Sequence, residues 1–225
     1  MQALLAHVDA AWKRRDEPGQ LERIHAWLDE AEQMAPHDYG VLWRQAQYWF
    51  WLADGDLSDD EKSKLGQRAW QYGDRATQAN PNGVEGWYFA ATGVGSYALG
   101  IGVVKALTQG IEGKFKERLA KAESINPSFF DGGIQVAWGR YYFMLPWPKY
   151  DGAACDRHLR KALAQNPHNV RARLYLAELY QKQDQVQFAR QVLKDALLRE
   201  AGAYDAPEER RSQQRARALL TKLGG

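Results

Sequence analysis

The chain has 225 residues, enough to bury a substantial core as one large domain or two small ones. Its 45% apolar and 26% charged residues with mean hydropathy −0.60 are a soluble globular composition, and a net charge of +2 gives no field that argues for nucleic acid or an anionic membrane surface as a partner. The single cysteine, Cys155, excludes an intrachain disulfide framework and a multi-cysteine metal site; its setting in GAACDRHLRKAL reads as a small buried residue on a helix.

In chain order, the first expected elements are a helix pair in residues 1–38, ALLAHVDAAWKRR followed by GQLERIHAWLDEAEQMA. The N-terminal stretch has no basic n-region, apolar core or cleavage site, so either the mature chain is cytoplasmic or a targeting segment has been removed. From there a repeat organises the sequence. Four segments end alike: DEAEQMAPHD, DRATQANPNG, AKAESINPSF and RKALAQNPHN. Each has an alanine five residues before a proline (Ala31/Pro36, Ala76/Pro81, Ala122/Pro127, Ala162/Pro167), at proline spacings of 45, 46 and 40. A small residue lets a neighbouring helix approach, and the proline ends the helix and sets the turn into the next one.

The last unit, Val170 to Ala203, is 34 residues long and has Leu176, Ala177 and Tyr180 on one helix and Ala189, Leu193 and Ala196 on the next. That pattern is similar to the tetratricopeptide repeat (TPR), a helix–turn–helix unit that stacks on its neighbours. The same register predicts repeats at 39–83, 84–129, 130–169 and 170–203. Their first helices start near Tyr39, Val84, Phe130 and Val170, with small residues at Ala46, Ala91 and Ala137 in the first three. Ser58 with Glu61 reads as a capping box for the second helix of the 39–83 repeat. Residues 207–223, opening on a proline with acids first and bases last, read as a capping helix. No run alternates as a strand would, so the expected fold is all-α: one TPR-like domain, a superhelix of helical hairpins with inserted segments in the middle repeats.

Residues 86–104, GWYFAATGVGSYALGIGVV, carry no charge and five glycines (Gly86, Gly93, Gly95, Gly100, Gly102). The run is long enough for a bilayer helix, but its serine, threonine, tyrosines and glycines and its coincidence with a repeat argue against one. It lacks the Lys-Ser/Thr of a phosphate loop and the preceding strand of a dinucleotide fold. The remaining reading is a buried first helix, Val84 to about Ala98, with Gly93 and Gly95 making room for a neighbouring helix or a ligand. Gly100 and Gly102 then loosen it into an insertion before a second helix in KFKERLAKAESI.

The concave positions of such repeats, read in this register, point aromatic side chains inward: Trp43, Phe50 and Trp51, then Tyr88 with Thr92, then Trp138, Tyr141 and Tyr142. The fifth unit turns polar, with Arg171, Leu174, Glu178, Gln181 and Lys182. The aromatic set is either the lining of a small-molecule pocket or the filling of a compact core. Arg140 is at an interior-favouring position and needs an anion, either a ligand or an ion-pair partner such as Asp131 or Glu85. The loop FMLPWPKYDG, stiffened by Pro146 and Pro148, is expected to be extended. Trp147 and Tyr150 project from it as a lid or partner contact, or Trp147 anchors it to its own core. The five histidines show no ligand spacing and no nucleophile motif is present, so neither a metal, a cofactor nor an enzyme is implied.

GWYFAATGVGSYALGIGVVKAL, GGIQVAWGRYYFMLPWPKYDG and HLRKALAQNPHNVRARLYLAELY, in this order, resemble the TRAP transporter T-component (TatT) family over about Pro81 to Gln183. Gly139-Arg140-Tyr141-Tyr142 and Leu145-Pro146-Trp147-Pro148 are the most specific elements. The resemblance implies a non-enzymatic, TPR-like periplasmic lipoprotein that associates with the substrate-binding P-component of a tripartite transporter. It also implies a homotrimer and a cavity for a hydrophobic or carboxylate ligand. A lipid-accepting N-terminal cysteine, usual in that family, is missing here. The alternative expectation is a general TPR scaffold that takes a peptide or partner helix in its groove.

Overall fold

The computed structural model describes residues 1–225 as twelve helices with no strand, the all-α helical-hairpin class expected. The chain divides into two compact units, Met1–Phe129 and Phe130–Gly225, at the boundary between the repeats expected at 84–129 and 130–169.

The first unit holds α1 (Gln2–Trp12), α2 (Gln20–Met34), α3 (Tyr39–Ala53), α4 (Asp59–Ala79), α5 (Val84–Ile101), α6 (Val103–Thr108) and α7 (Ile111–Ile125). The second holds α8 (Gly133–Met144), α9 (Gly152–Gln165), α10 (Val170–Lys182), α11 (Val186–Leu197) and α12 (Ala206–Lys222). The expected Ser58–Glu61 capping box forms, and aspartates cap α3 and α12 as well. Asp38 accepts from the Val41 amide, Ser58 and Glu61 make a complete capping box, and Asp205 caps α12 ahead of Pro207.

The recurring turn has a local cause. Asn80, Asn126 and Asn166, each before a proline, are held extended, as the proline ring requires of its predecessor. Each donates its amide to the alanine carbonyl four residues back, and its side-chain oxygen accepts from the amide two residues on. One asparagine thus ends a helix and starts the turn.

Each second helix presents three residues spaced four and three apart: Ile24-Leu28-Ala31, Ala69-Gly73-Ala76, Phe115-Leu119-Ala122, Cys155-Leu159-Ala162 and Ala189-Leu193-Ala196. All are buried except the half-buried Phe115. Only α4 has glycine where the others have leucine. Its partner α5 answers with small residues, so the two backbones come into contact. A Cβ on Gly73 would lie 2.5 Å from the Ala90 backbone, one on Gly93 2.4 Å from the Trp70 nitrogen, and one on Gly100 2.4 Å from the Ser63 nitrogen.

This agrees with the neighbouring-helix alternative for Gly93 and corrects the reading of Gly100. Gly93 and Gly100 serve a helix–helix seam, and Gly100 does not loosen α5. The helix runs on to Ile101 and breaks only at Gly102, whose φ of +89° suits glycine. Nor does α7 wait for Lys114; it begins at Ile111, after the short α6. No helix is long and apolar enough to cross a membrane.

The register of the 130–169 repeat also differs. Phe130, Asp131 and Gly132 all have positive φ, and α8 starts at Gly133 rather than near Phe130. The residue against the second helix is therefore Gly139, whose Cβ would lie 2.7 Å from Leu159 Cγ, while Ala137 is only half-buried.

Candidate functional site: a cleft in the second unit

Helix α10 places Leu174, Glu178, Gln181 and Lys182 on one face, at the spacing of successive turns. With Phe143 of α8 and with Arg215 and Leu219 of α12 they line a cleft of about 530 Å³. Leu174, 2% exposed, forms its floor, and the exposed Lys182 stands at its rim. These four α10 residues are concave positions read for the fifth repeat. Arg171, the remaining one, makes a two-pronged ion pair with Glu208 and so ties α10 to α12.

Arg140 pairs with Glu178, a partner not named from the sequence, and its guanidinium lies over Tyr175 (4.5 Å) and Phe143 (5.1 Å). Asp131, the expected partner on its own repeat, is exposed in the left-handed turn. Lys182 Nζ donates to the Phe143 carbonyl at 3.2 Å and sits 4.1 Å from the Tyr150 ring and 4.7 Å from the Phe143 ring. The corrected register explains this pairing. A shift of about two residues moves Arg140 and Phe143 to the concave positions, opposite Glu178 and Lys182.

The sequence-predicted aromatic set divides between the units. In the first, Phe89 is the hub, 1% exposed: Trp43 stacks on it with planes 8° apart, and Phe50 and Tyr88 pack at 6.3 and 5.2 Å. Thr92 Oγ1 donates to the Phe89 carbonyl. Trp51 belongs elsewhere, against Trp12 and under the Arg15 guanidinium at 4.0 Å. In the second unit Trp138, Tyr141 and Tyr142 form one cluster, completed by His158 stacked on Tyr142, with His158 Nδ1 2.8 Å from Gln135 Oε1.

The loop after α8 is a turn rather than extended chain. The Pro146 carbonyl accepts from the amides of Lys149 and Tyr150, and the Trp147–Pro148 peptide is cis. Its anchors are the buried Leu145 and the half-buried Tyr150, whereas Trp147 is 89% exposed and anchors nothing.

Phe143, Arg215 and Leu219 escaped the sequence reading: the first through the register, the other two because α12 reads only as a solvating cap. The alternation of apolar and basic residues in RARALL was the available signal.

Burial pushes the Cys155 thiol up to about 12, so little nucleophilic thiolate forms at neutral pH. A thiol-specific disulfide reagent at pH 8 is expected to label Cys155 only as fast as the fold opens, with full labelling in denaturant; rapid native labelling would contradict its burial. The native state also keeps this proton above the ordinary thiol range near 9, so stability falls as pH rises from there toward 12.

These features define a TPR-like helical-hairpin scaffold. The tetratricopeptide repeat family model matches residues 149–223, which include every cleft residue except Phe143. Among solved structures, a thermophilic TPR protein of Thermus thermophilus is similar at 17% identity and a TM-score of 0.73, covering 97% of this chain and 99% of that one. No curated protein matches.

Proposed function

We propose that this chain is a non-enzymatic binding scaffold that takes a segment of a partner protein in the cleft of its second unit. The observation that carries this reading is the cleft itself: concave positions of α10, with an apolar floor at Leu174 and a polar rim at Gln181 and Lys182. Apolar floors with a few placed polar groups suit a polypeptide segment, whose anchors fill the floor while its backbone meets the rim.

The resemblance of residues 81–183 to the TRAP T-component makes the solute-binding P-component the first partner to test, with the periplasm as its place and a homotrimer as its assembly. In the same reading the cluster of Trp138, Tyr141 and Tyr142 in the second unit is one candidate seat for a small hydrophobic or carboxylate ligand, and the cluster of Trp43, Phe50 and Tyr88 in the first unit is a separate one. Photo-cross-linking separates these outcomes. A benzophenone side chain at Gln181 is expected to capture a discrete partner segment, competed by that segment as a synthetic peptide. One at the exposed Gln187 of α11 is not. Equal capture from both positions overturns the cleft as the binding site.

A further inference from the structure

The two units differ sharply in charge, which the net +2 of the whole chain conceals. Residues 130–225 carry 16 lysines and arginines against 10 aspartates and glutamates, a net +6, while residues 1–129 carry 14 against 18, a net −4. Within the cleft the imbalance has the same sign, because Lys182 and Arg215 share the lining with a single carboxylate, Glu178, and that carboxylate is paired with Arg140. Lys182 is exposed and held in place by two aromatic rings and one carbonyl, which uses one of its three donors. Phe143, Leu174 and Leu219 supply the apolar surface between the charges.

We propose that this cleft selects a polypeptide segment in which a carboxylate stands between apolar residues, with the Arg140–Glu178 ion pair limiting how tightly such a segment is held because Glu178 occupies Arg140. The inference rests on the reading of the cleft as a polypeptide site and adds the chemistry of its occupant. Charge complementarity of this kind sets partner choice and encounter rate more than total affinity. An incoming carboxylate gains from Lys182 and Arg215 and competes with Glu178 for Arg140, while the leucines and Phe143 reward apolar flanks on either side of it.

The test is selection from a library of short peptides with two fixed apolar positions and the rest randomised among Glu, Asp, Gln, Asn, Lys and Ser, each with free and amidated C-termini. The full chain is expected to enrich acidic peptides, binding them roughly fivefold to tenfold tighter than their amide counterparts at low salt, with the preference fading as salt rises. Lys182→Glu should abolish the preference, and Glu178→Gln, which releases Arg140 as a further cation, should strengthen binding of acidic peptides several-fold more than that of neutral ones. Thermal melting checks that both variants fold. A preference that disappears on amidation assigns the terminal carboxylate, and one that survives assigns the side chain. Enrichment of neutral or basic peptides, or no response to Lys182→Glu, overturns the inference and leaves the polypeptide site standing. Failure of every peptide class to bind overturns the polypeptide site as well.

Discussion

Gly93→Ala is expected to destabilise the first unit by about 2 kcal/mol or more, although alanine is the better helix former by nearly 1 kcal/mol. The new Cβ would stand 2.4 Å from the Trp70 backbone nitrogen, and the next atoms are also backbone, so no side chain can swing aside. Helices α4 and α5 must move apart, and every contact along their seam, from Gly73 on Ala90 to Gly100 on Ser63, loosens with them. Gly73→Ala should behave alike, for the same reason. The control is Gly113→Ala in α7, a helical and exposed glycine with nothing within 4 Å of its added Cβ. There only the propensity term acts, and a gain of about 0.5–1 kcal/mol is expected. Denaturant unfolding of the three variants reads the sign directly, and a stabilised Gly93→Ala would mean that the seam is not closed.

The fold was legible because its punctuation is local. Ala76-x3-Asn80-Pro81 and its counterparts contain within six residues everything that ends one helix and begins the next, so the periodic reading found the hairpins without knowing their packing. Interhelix distance is different in kind. Glycines at 93 and 100 are compatible with a ligand, a kink or a close neighbour, and only the preceding helix α4, whose Trp70 and Ser63 backbones meet them and whose own Gly66 and Gly73 meet Ser96 and Ala90, decides among these. The candidate site was half legible for a related reason. Leu174, Glu178, Gln181 and Lys182 follow from a repeat of standard length, whereas Phe143 depends on where α8 starts. A left-handed turn at Phe130 and Asp131 moves that start, and neither residue type announces positive φ as glycine would. Aromatic richness misdirected the reading as well. Phe89, hidden beside Tyr88 in the sequence, organises the first cluster, while Trp51 leaves it for Trp12 and Arg15.

Leu159→Ala is the sharpest test of that corrected register, and its expected cost is near the upper end of the roughly 2–5 kcal/mol range for buried leucines. Leu159 is fully buried and its tip lies over Gly139, so the residue across the seam has no side chain with which to fill the space left behind. Gly139→Ala alone should also destabilise, because its Cβ would meet Leu159 Cγ at 2.7 Å within a core that cannot give way. The double variant removes the clash and partly refills the cavity with the same methyl group. It should therefore be more stable than the sum of the two losses predicts, by about 1 kcal/mol or more. Ala137, the residue the repeat pattern nominates, is half-buried, and Ala137→Ser should change stability little and show no coupling to Leu159→Ala. Additive losses at 139 and 159, or coupling at 137 instead, would restore the earlier register and turn Trp138 toward the concave face in place of Arg140. The outcome thus also decides which α8 side chains face α10: with Gly139 on the seam, Arg140 and Phe143 meet Glu178 and Lys182, and the cleft has the charged rim on which the proposed selectivity depends.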